Sequence, residues 1–169
     1  GDLLACSSLF RAIKEKYPKC EITVIVSPQN YYAVTKNRFV DKLFVFDKTK
    51  LFNLSYLNKF NNLLSQSYSI AIVPVTVAIS STSCILAKLS KANYLIGPKS
   101  LDGKENKLGF FFHTAVDMNW MINSDRHVAD FGQDILNPIF ARTNMLNAVV
   151  DFDEVDKKVV EGFLRANFG

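Results

Sequence analysis

Histidine is scarce in this 169-residue chain: there are two, His113 and His127. A histidine-rich metal centre is therefore not expected. Cysteine is also sparse. Cys6, Cys20 and Cys84 are an odd number at wide spacing, neither a metal motif nor a disulfide framework, and reduced, buried thiols of a cytosolic protein are expected. There is no Gly-x-Gly-x-x-Gly and no Gly-x-x-x-x-Gly-Lys-Ser/Thr, so the usual dinucleotide and P-loop sites lack their glycines. A Gly-x-Ser-x-Gly elbow is missing too, and Ser, His and Asp show no triad-like spacing. No long hydrophobic run occurs: the longest, Ile70 to Ile79, holds Pro74 and Thr76 and is too short to span a bilayer. The chain shows no internal repeat, no low-complexity tract and no signal peptide. It opens on Gly1-Asp2 rather than Met, and a fragment of a longer protein is expected.

What is present suits one globular domain. Apolar residues make up 49% and charged residues 21%, enough to bury a core without a metal or disulfide staple. Net charge is +4, unevenly spread: residues 1–110 carry 15 Lys/Arg against 7 Asp/Glu, and residues 111–169 carry 5 against 9. The basic part could face phosphates, an anionic membrane or nucleic acid, or be a solvated lysine-rich surface. No basic run with interleaved aromatics occurs, so nucleic acid is not the expected partner.

Hydrophobic periodicity alternates between the two regular structures. Helices are expected from Leu3 to Ile13, closed by Tyr17-Pro18, then from Pro28 to Lys36, Tyr56 to Leu64, Ser80 to Leu89, Asp125 to Phe140 and Asp153 to Asn167. Strands are expected at 21–26, 42–46, 69–73 and 93–96, the last stopped by Gly97-Pro98, with a polar loop over 98–108. Alternation of this kind predicts an α/β fold, a Rossmann-like parallel sheet with helices on both faces. In such a fold a first strand precedes the first helix. Here that strand is missing, and Gly1-Asp2 looks like the turn that would follow it. Its loss would expose two sheet edges, so poor stability in isolation is expected.

Parallel sheets bind ligands at the carboxyl ends of their strands. Candidate positions are therefore Asp2, residues 27–30, the hydroxyl-rich turn 74–83 and residues 97–100. Asp2, at a helix start that favours its ionised form, is either a general base or a plain N-cap. Ser80 and Ser81 either receive an anion at a helix start or cap it. His127, among Asp125, Arg126 and Asp130, is a site residue or a surface histidine paired to an acid. His113, after Phe110-Phe111-Phe112, belongs to core or hinge, and Trp120 with Met118 and Met121 to an exposed loop.

Several landmarks occur in a familiar order. They are Gly1-Asp2-Leu3-Leu4; Leu9-Phe10-Arg11-Ala12-Ile13 through Tyr17-Pro18; strand 21–26; Tyr68 through Pro74; Ser80-Ser81; Ala92 through Gly97; and Arg126-His127-Val128 with Ile135-Leu136. Together they resemble the N-terminal domain of the bacterial lipopolysaccharide heptosyltransferases, glycosyltransferase family 9. The resemblance implies the first half of a two-domain GT-B enzyme that is inverting and needs neither metal nor cofactor. Such an enzyme moves heptose or another sugar from a nucleotide-sugar such as ADP-heptose to a lipid-linked saccharide acceptor. It implies Asp2 as catalytic base, with Gly1, Ser80, Ser81 and His127 on the acceptor side. It places the protein in the cytoplasm, at the inner face of the bacterial inner membrane. The donor half is absent from these 169 residues, which alone are not expected to turn over substrate. The segment Val73-Pro74-Val75-Thr76 lacks the polar side chains many members carry there. A degenerate glycan-binding or scaffolding domain, or an unrelated doubly wound nucleotide-binding domain, would share much of this pattern.

Overall fold

A computed structural model describes residues 2–75 and 77–168, without the side chains of Asp2, Asn123 and Phe168. The chain is α/β. Two short helices open it, α1 (Asp2–Ala5) and α2 (Ser7–Lys16), where periodicity alone predicts one. The break at Cys6 has a local cause. Ser7 Oγ donates to Leu4 O at 2.6 Å and Ser8 Oγ to Ala5 O at 3.1 Å, side-chain bonds that bend helices. The Cys6 and Leu9 amides turn to i→i+3 partners, Leu3 O and Cys6 O.

Next come β1 (Thr23–Val26) and, after a 3-10 turn opened by Pro28, β2 (Lys42–Val45). The two pair in parallel, Thr23 opposite Lys42 and Val26 opposite Val45. Helix α3 (Leu54–Leu64) is capped by Asn53, whose side chain accepts the Tyr56 N–H. Strand β3 (Ile70–Ile72), helix α4 (Ser81–Leu89), strand β4 (Tyr94–Leu101), strand β5 (Lys104–Glu105) and strand β6 (Thr114–Met118) follow. Strand β4 pairs in parallel with β3 and β6 and antiparallel with β5. Helix α5 (Val128–Gly132) continues as a 3-10 stretch to Ile139 that contains Pro138. Helix α6 (Glu154–Phe168) ends the described chain. The parallel strands thus form two sheets, β1-β2 and β3-β4-β6 with β5 appended, rather than the single sheet expected.

Successive strand residues face opposite sides, and both sides are covered. Ile96 and Ile72 join Val24, Val26, Leu43 and Val45 in a core that also holds Leu9, Phe10 and Ala12 of α2 and Phe131, Ile135 and Leu136. On the other side, Leu95, Val73 and Ala71 pack with Cys84 and Ala87 of α4 and with Phe112. Phe44 and Phe46 of the β2 region meet Phe60 of α3 at ring separations of 5.5 and 5.2 Å. Helices therefore flank both faces, α2 and α5 on one, α3 and α4 on the other. One core runs beneath both sheets.

Gly97-Pro98, expected to end a strand, lies inside β4 instead. The register slips between Pro98 and Ser100 against β6, a bulge that absorbs the missing proline N–H. The expected loop over 98–108 is partly a hairpin. Asp102 and Gly103 have φ of 48° and 80°, the left-handed pair of a type I′ turn, with Leu101 opposite Lys104. Gly97 is required for packing rather than for φ: a Cβ there would overlap the buried ring of Phe112. Gly97→Ala is therefore expected to destabilise by about 1–3 kcal/mol. In urea denaturation the cost should largely vanish in a Phe112→Ala background, where the ring is gone. Additive costs would show that the ring is not what the methyl meets.

Candidate functional site

A cleft of about 430 Å³ opens between α1, the start of α5 and the irregular segment 146–148. Leu4 and Ala5 of α1 form one wall. His127, Val128 and Ala129 at the start of α5 form another, and Leu146, Asn147 and Ala148 close it. A second hollow of about 220 Å³ shares Val128 and is bounded by Val77, Asp102 and Trp120. Val77, Asp102 and Trp120 follow β3, β4 and β6 respectively, so this second hollow lies at the carboxyl ends of strands of the second sheet, the ligand-binding end of parallel sheets.

His127 is the titratable side chain that lines the first cleft. Its backbone is extended, and its Nδ1 accepts the Ala129 N–H at 3.2 Å. In the neutral ring that leaves the proton on Nε2 as a donor. No acid pairs with it among the described residues. Its acidic neighbour Asp130 is taken instead by Arg126, Nε to Oδ2 at 2.7 Å. Arg126 also grips Asp134 at 2.7 Å, and Arg142 contacts both aspartates. The hydrogen bond from Arg126 holds the Asp130 carboxyl below the usual carboxylate range, burial opposing it and Arg142 assisting. This four-residue lattice fixes the first turn of α5 and thereby the imidazole.

The other walls are fixed by buried polar side chains that hydrophobic patterning does not reveal. Ser8 Oγ donates to Ala129 O at 3.0 Å, tying α2 to the His127 turn. Ser7 Oγ accepts the Val149 N–H at 3.3 Å, and Asn37 Nδ2 donates to Val149 O at 3.2 Å. Gln133, fully buried, brackets Thr143: its Nε2 donates to Thr143 O at 3.1 Å and its Oε1 accepts the Thr143 N–H at 2.7 Å. Residues 141–151 have no regular structure, so these side chains replace the missing backbone ladder. Polar residues at otherwise apolar helix positions were the available signal, and sequence alone could not say what they bond.

Of the expected site residues, His127 reaches the cleft. The backbone of Asp2 opens α1, two residues before Leu4 in the wall. The Asp2 side chain and Gly1 lie outside the described residues. Ser80 caps α4, accepting the Ser83 N–H at 3.2 Å, and Ser81 is the first residue of that helix. Neither lines the cleft. Trp120, expected on an exposed loop, packs edge-on against Phe131 with ring centroids 4.9 Å apart, and Met118 is buried.

The uneven charge has a partly internal explanation. Lys36 pairs with Asp153 at 2.9 Å and with Asp156, Arg38 with Asp151, and Lys99 with Asp117 at 3.1 Å. Basic residues of the first part thus meet acidic residues of the second. Among the described residues no group of His, Cys, Asp and Glu could hold a metal ion, and no helix is long and apolar enough to cross a membrane. No family model, no curated protein and no solved structure matches the chain.

Proposed function

We propose that this domain is the acceptor-binding half of an inverting glycosyltransferase of the GT-B, Rossmann-like type, acting with a nucleotide-sugar such as ADP-heptose on a lipid-linked, phosphorylated saccharide. The observation that supports it is a cleft in which Leu4 and Ala5 of the helix opened by Asp2 share a lining with His127, beside a second hollow at the carboxyl ends of the strands that shares Val128. In this reading Asp2 takes the proton of an acceptor hydroxyl as that oxygen bonds to the anomeric carbon. The sugar–phosphate bond breaks on the opposite face, the nucleoside diphosphate leaves, and the anomeric centre inverts. His127 donates to a saccharide oxygen and sets the hydroxyl toward Asp2. Leu4, Ala5, Val128 and Leu146 cover the apolar face of the sugar ring. Ser80 and Ser81 belong to the helix cap.

The test is an NMR titration with delipidated, phosphorylated lipid A-core oligosaccharide. Amide shifts should concentrate at Leu4, Ala5, 127–129 and 146–148. His127→Ala should weaken binding about tenfold, the loss of one hydrogen bond to a ligand. Shifts scattered over the surface would refute the acceptor site. Tight binding of free ADP in the same cleft would favour a nucleotide-binding domain instead.

A further inference from the structure

The second hollow, of about 220 Å³, is bounded by two polar side chains that the cleft beside it does not use, Asp102 and Trp120. The fold sets both. Asp102 is the first residue of the left-handed pair that turns β4 into β5, with φ of 48°. Its amide donates to Met118 O at 2.9 Å, and its Oδ1 accepts the Met121 N–H at 3.0 Å. The carboxylate is thus tied to the turn that follows β6, and its Oδ2 has no partner among the described residues. Among those residues no cation pairs with it: Lys99, three residues back, is taken by Asp117 at 3.1 Å. Trp120 lies two residues beyond β6, half-buried and edge-on to Phe131. Its indole N–H has no partner among the described residues. Val77 and Val128 supply the remaining, apolar walls.

These walls select a ligand by elimination. An indole ring with two aliphatic side chains favours a ligand that has an apolar face. An open carboxylate oxygen accepts hydrogen bonds and repels anions. An open indole N–H only donates. A phosphate only accepts, and it meets the carboxylate as a like charge. An ammonium only donates, and it leaves the indole N–H unanswered. A hydroxyl does both, and a sugar ring carries hydroxyls on its rim and C–H groups on its faces. A cavity of about 150 Å³ holds a benzene-sized ring, so the hollow has room for one six-membered ring and not for two. It shares Val128 with the cleft that His127 lines, so a ring placed here adjoins whatever that cleft holds.

We propose that this hollow is a subsite for one uncharged sugar ring, whose hydroxyls donate to Asp102 and accept from Trp120, and that Asp102 excludes rings bearing an anionic group. The subsite rests on the acceptor reading in one respect, that the neighbouring cleft holds a saccharide. It then sets which part of a phosphorylated saccharide goes where: an uncharged ring enters the hollow, and the phosphates stay outside it.

Trp120 is the single tryptophan, so its fluorescence reads this hollow directly. The chain is titrated with the methyl glycosides of glucose, galactose and mannose, and with the matching methyl uronides, which add one carboxylate. At least one neutral glycoside should give a saturable change, and its uronide should bind about tenfold or more weaker, the effect of a like charge beside Asp102. Asparagine tolerates the left-handed φ and keeps an oxygen for the Met121 N–H. Asp102→Asn should therefore bring the glycoside and its uronide within about twofold of each other. Amide shifts in the unsubstituted chain map the contact without any variant, and they should fall at Val77, Asp102, Trp120 and Val128. No saturable change with any of the three glycosides, equal binding of glycoside and uronide, or a response to glucosamine with none to the neutral rings would each overturn the subsite. The last would mark a cation site instead. With delipidated, phosphorylated lipid A-core oligosaccharide, shifts at Leu4 and 146–148 that spare Val77, Asp102 and Trp120 would refute the subsite alone. The reverse pattern would keep the subsite and refute the acceptor cleft.

Discussion

Asp2→Asn is expected to lower the turnover of sugar transfer by about 10²–10⁴-fold, the range a general base contributes, while leaving acceptor affinity within about twofold. The substitution keeps the shape of the side chain and removes its ability to take a proton. The acceptor hydroxyl would then have to attack as a neutral alcohol. The measurement is transfer of labelled heptose from ADP-heptose, with this domain joined to a nucleotide-sugar-binding half and acceptor saturating. His127→Ala should behave oppositely, raising KM more than it lowers kcat, because it anchors the acceptor in both ground and transition states. A loss below tenfold for Asp2→Asn would return Asp2 to a helix-opening role. Unchanged saccharide binding together with that result would favour a glycan-binding module over an enzyme.

Phe131→Ala is expected to cost about 3–5 kcal/mol, the range for emptying a buried aromatic site. Phe131 is 1% exposed and is the largest of the fully buried side chains. Its ring is edge-on to Trp120, which bounds the second hollow, and it belongs to the core that α2 and α5 share. For a domain of this size the loss lowers Tm by roughly 10 °C, a large share of the ordinary 5–15 kcal/mol of stability. Trp120 is the single tryptophan, so its fluorescence reports the change directly. Guanidinium unfolding followed at that signal should show a lower midpoint with an unchanged slope. A cost under about 1 kcal/mol would mean that Trp120 swings inward to fill the space.

The regular elements with clear periodicity were legible in the sequence. Strands β1, β2 and β3 and helices α3 and α4 lie where hydrophobic spacing predicts them, because local burial decides them; helix α6 lies where its spacing predicts too, although Val155, Val159, Val160, Phe163 and Leu164 are exposed. Where two local signals compete, tertiary packing decides. Gly97-Pro98 reads as a stop, yet the strand runs on: the Phe112 ring needs the glycine, and a bulge accommodates the proline. Asp102-Gly103 carried a hairpin signal that the surrounding lysines obscured. Strand β6 was missed because Thr114-Ala115-Val116-Asp117-Met118 alternates weakly, and only pairing with β4 makes it a strand. Of the site, the position of His127 at a helix start was readable. Its Nδ1 bond to Ala129 was not, nor were the buried bonds of Ser7, Ser8, Asn37 and Gln133. The partners of Ser7, Ser8 and Asn37 lie far along the chain, up to 142 residues away for Ser7 and Val149.

That separation bears on how the protein comes into being. One wall of the cleft is residues 4–5 and another is residues 146–148, so closing the cleft means bringing together nearly the whole length of the polypeptide. The entropy of closing so long a loop is lost before Ser7, Ser8 and Asn37 gain their bonds. Folding weighted toward such distant contacts is slow. During synthesis Ser7 and Ser8 leave the ribosome long before Ala129 and Val149, their distant partners. The cleft is thus among the last parts of the molecule to form.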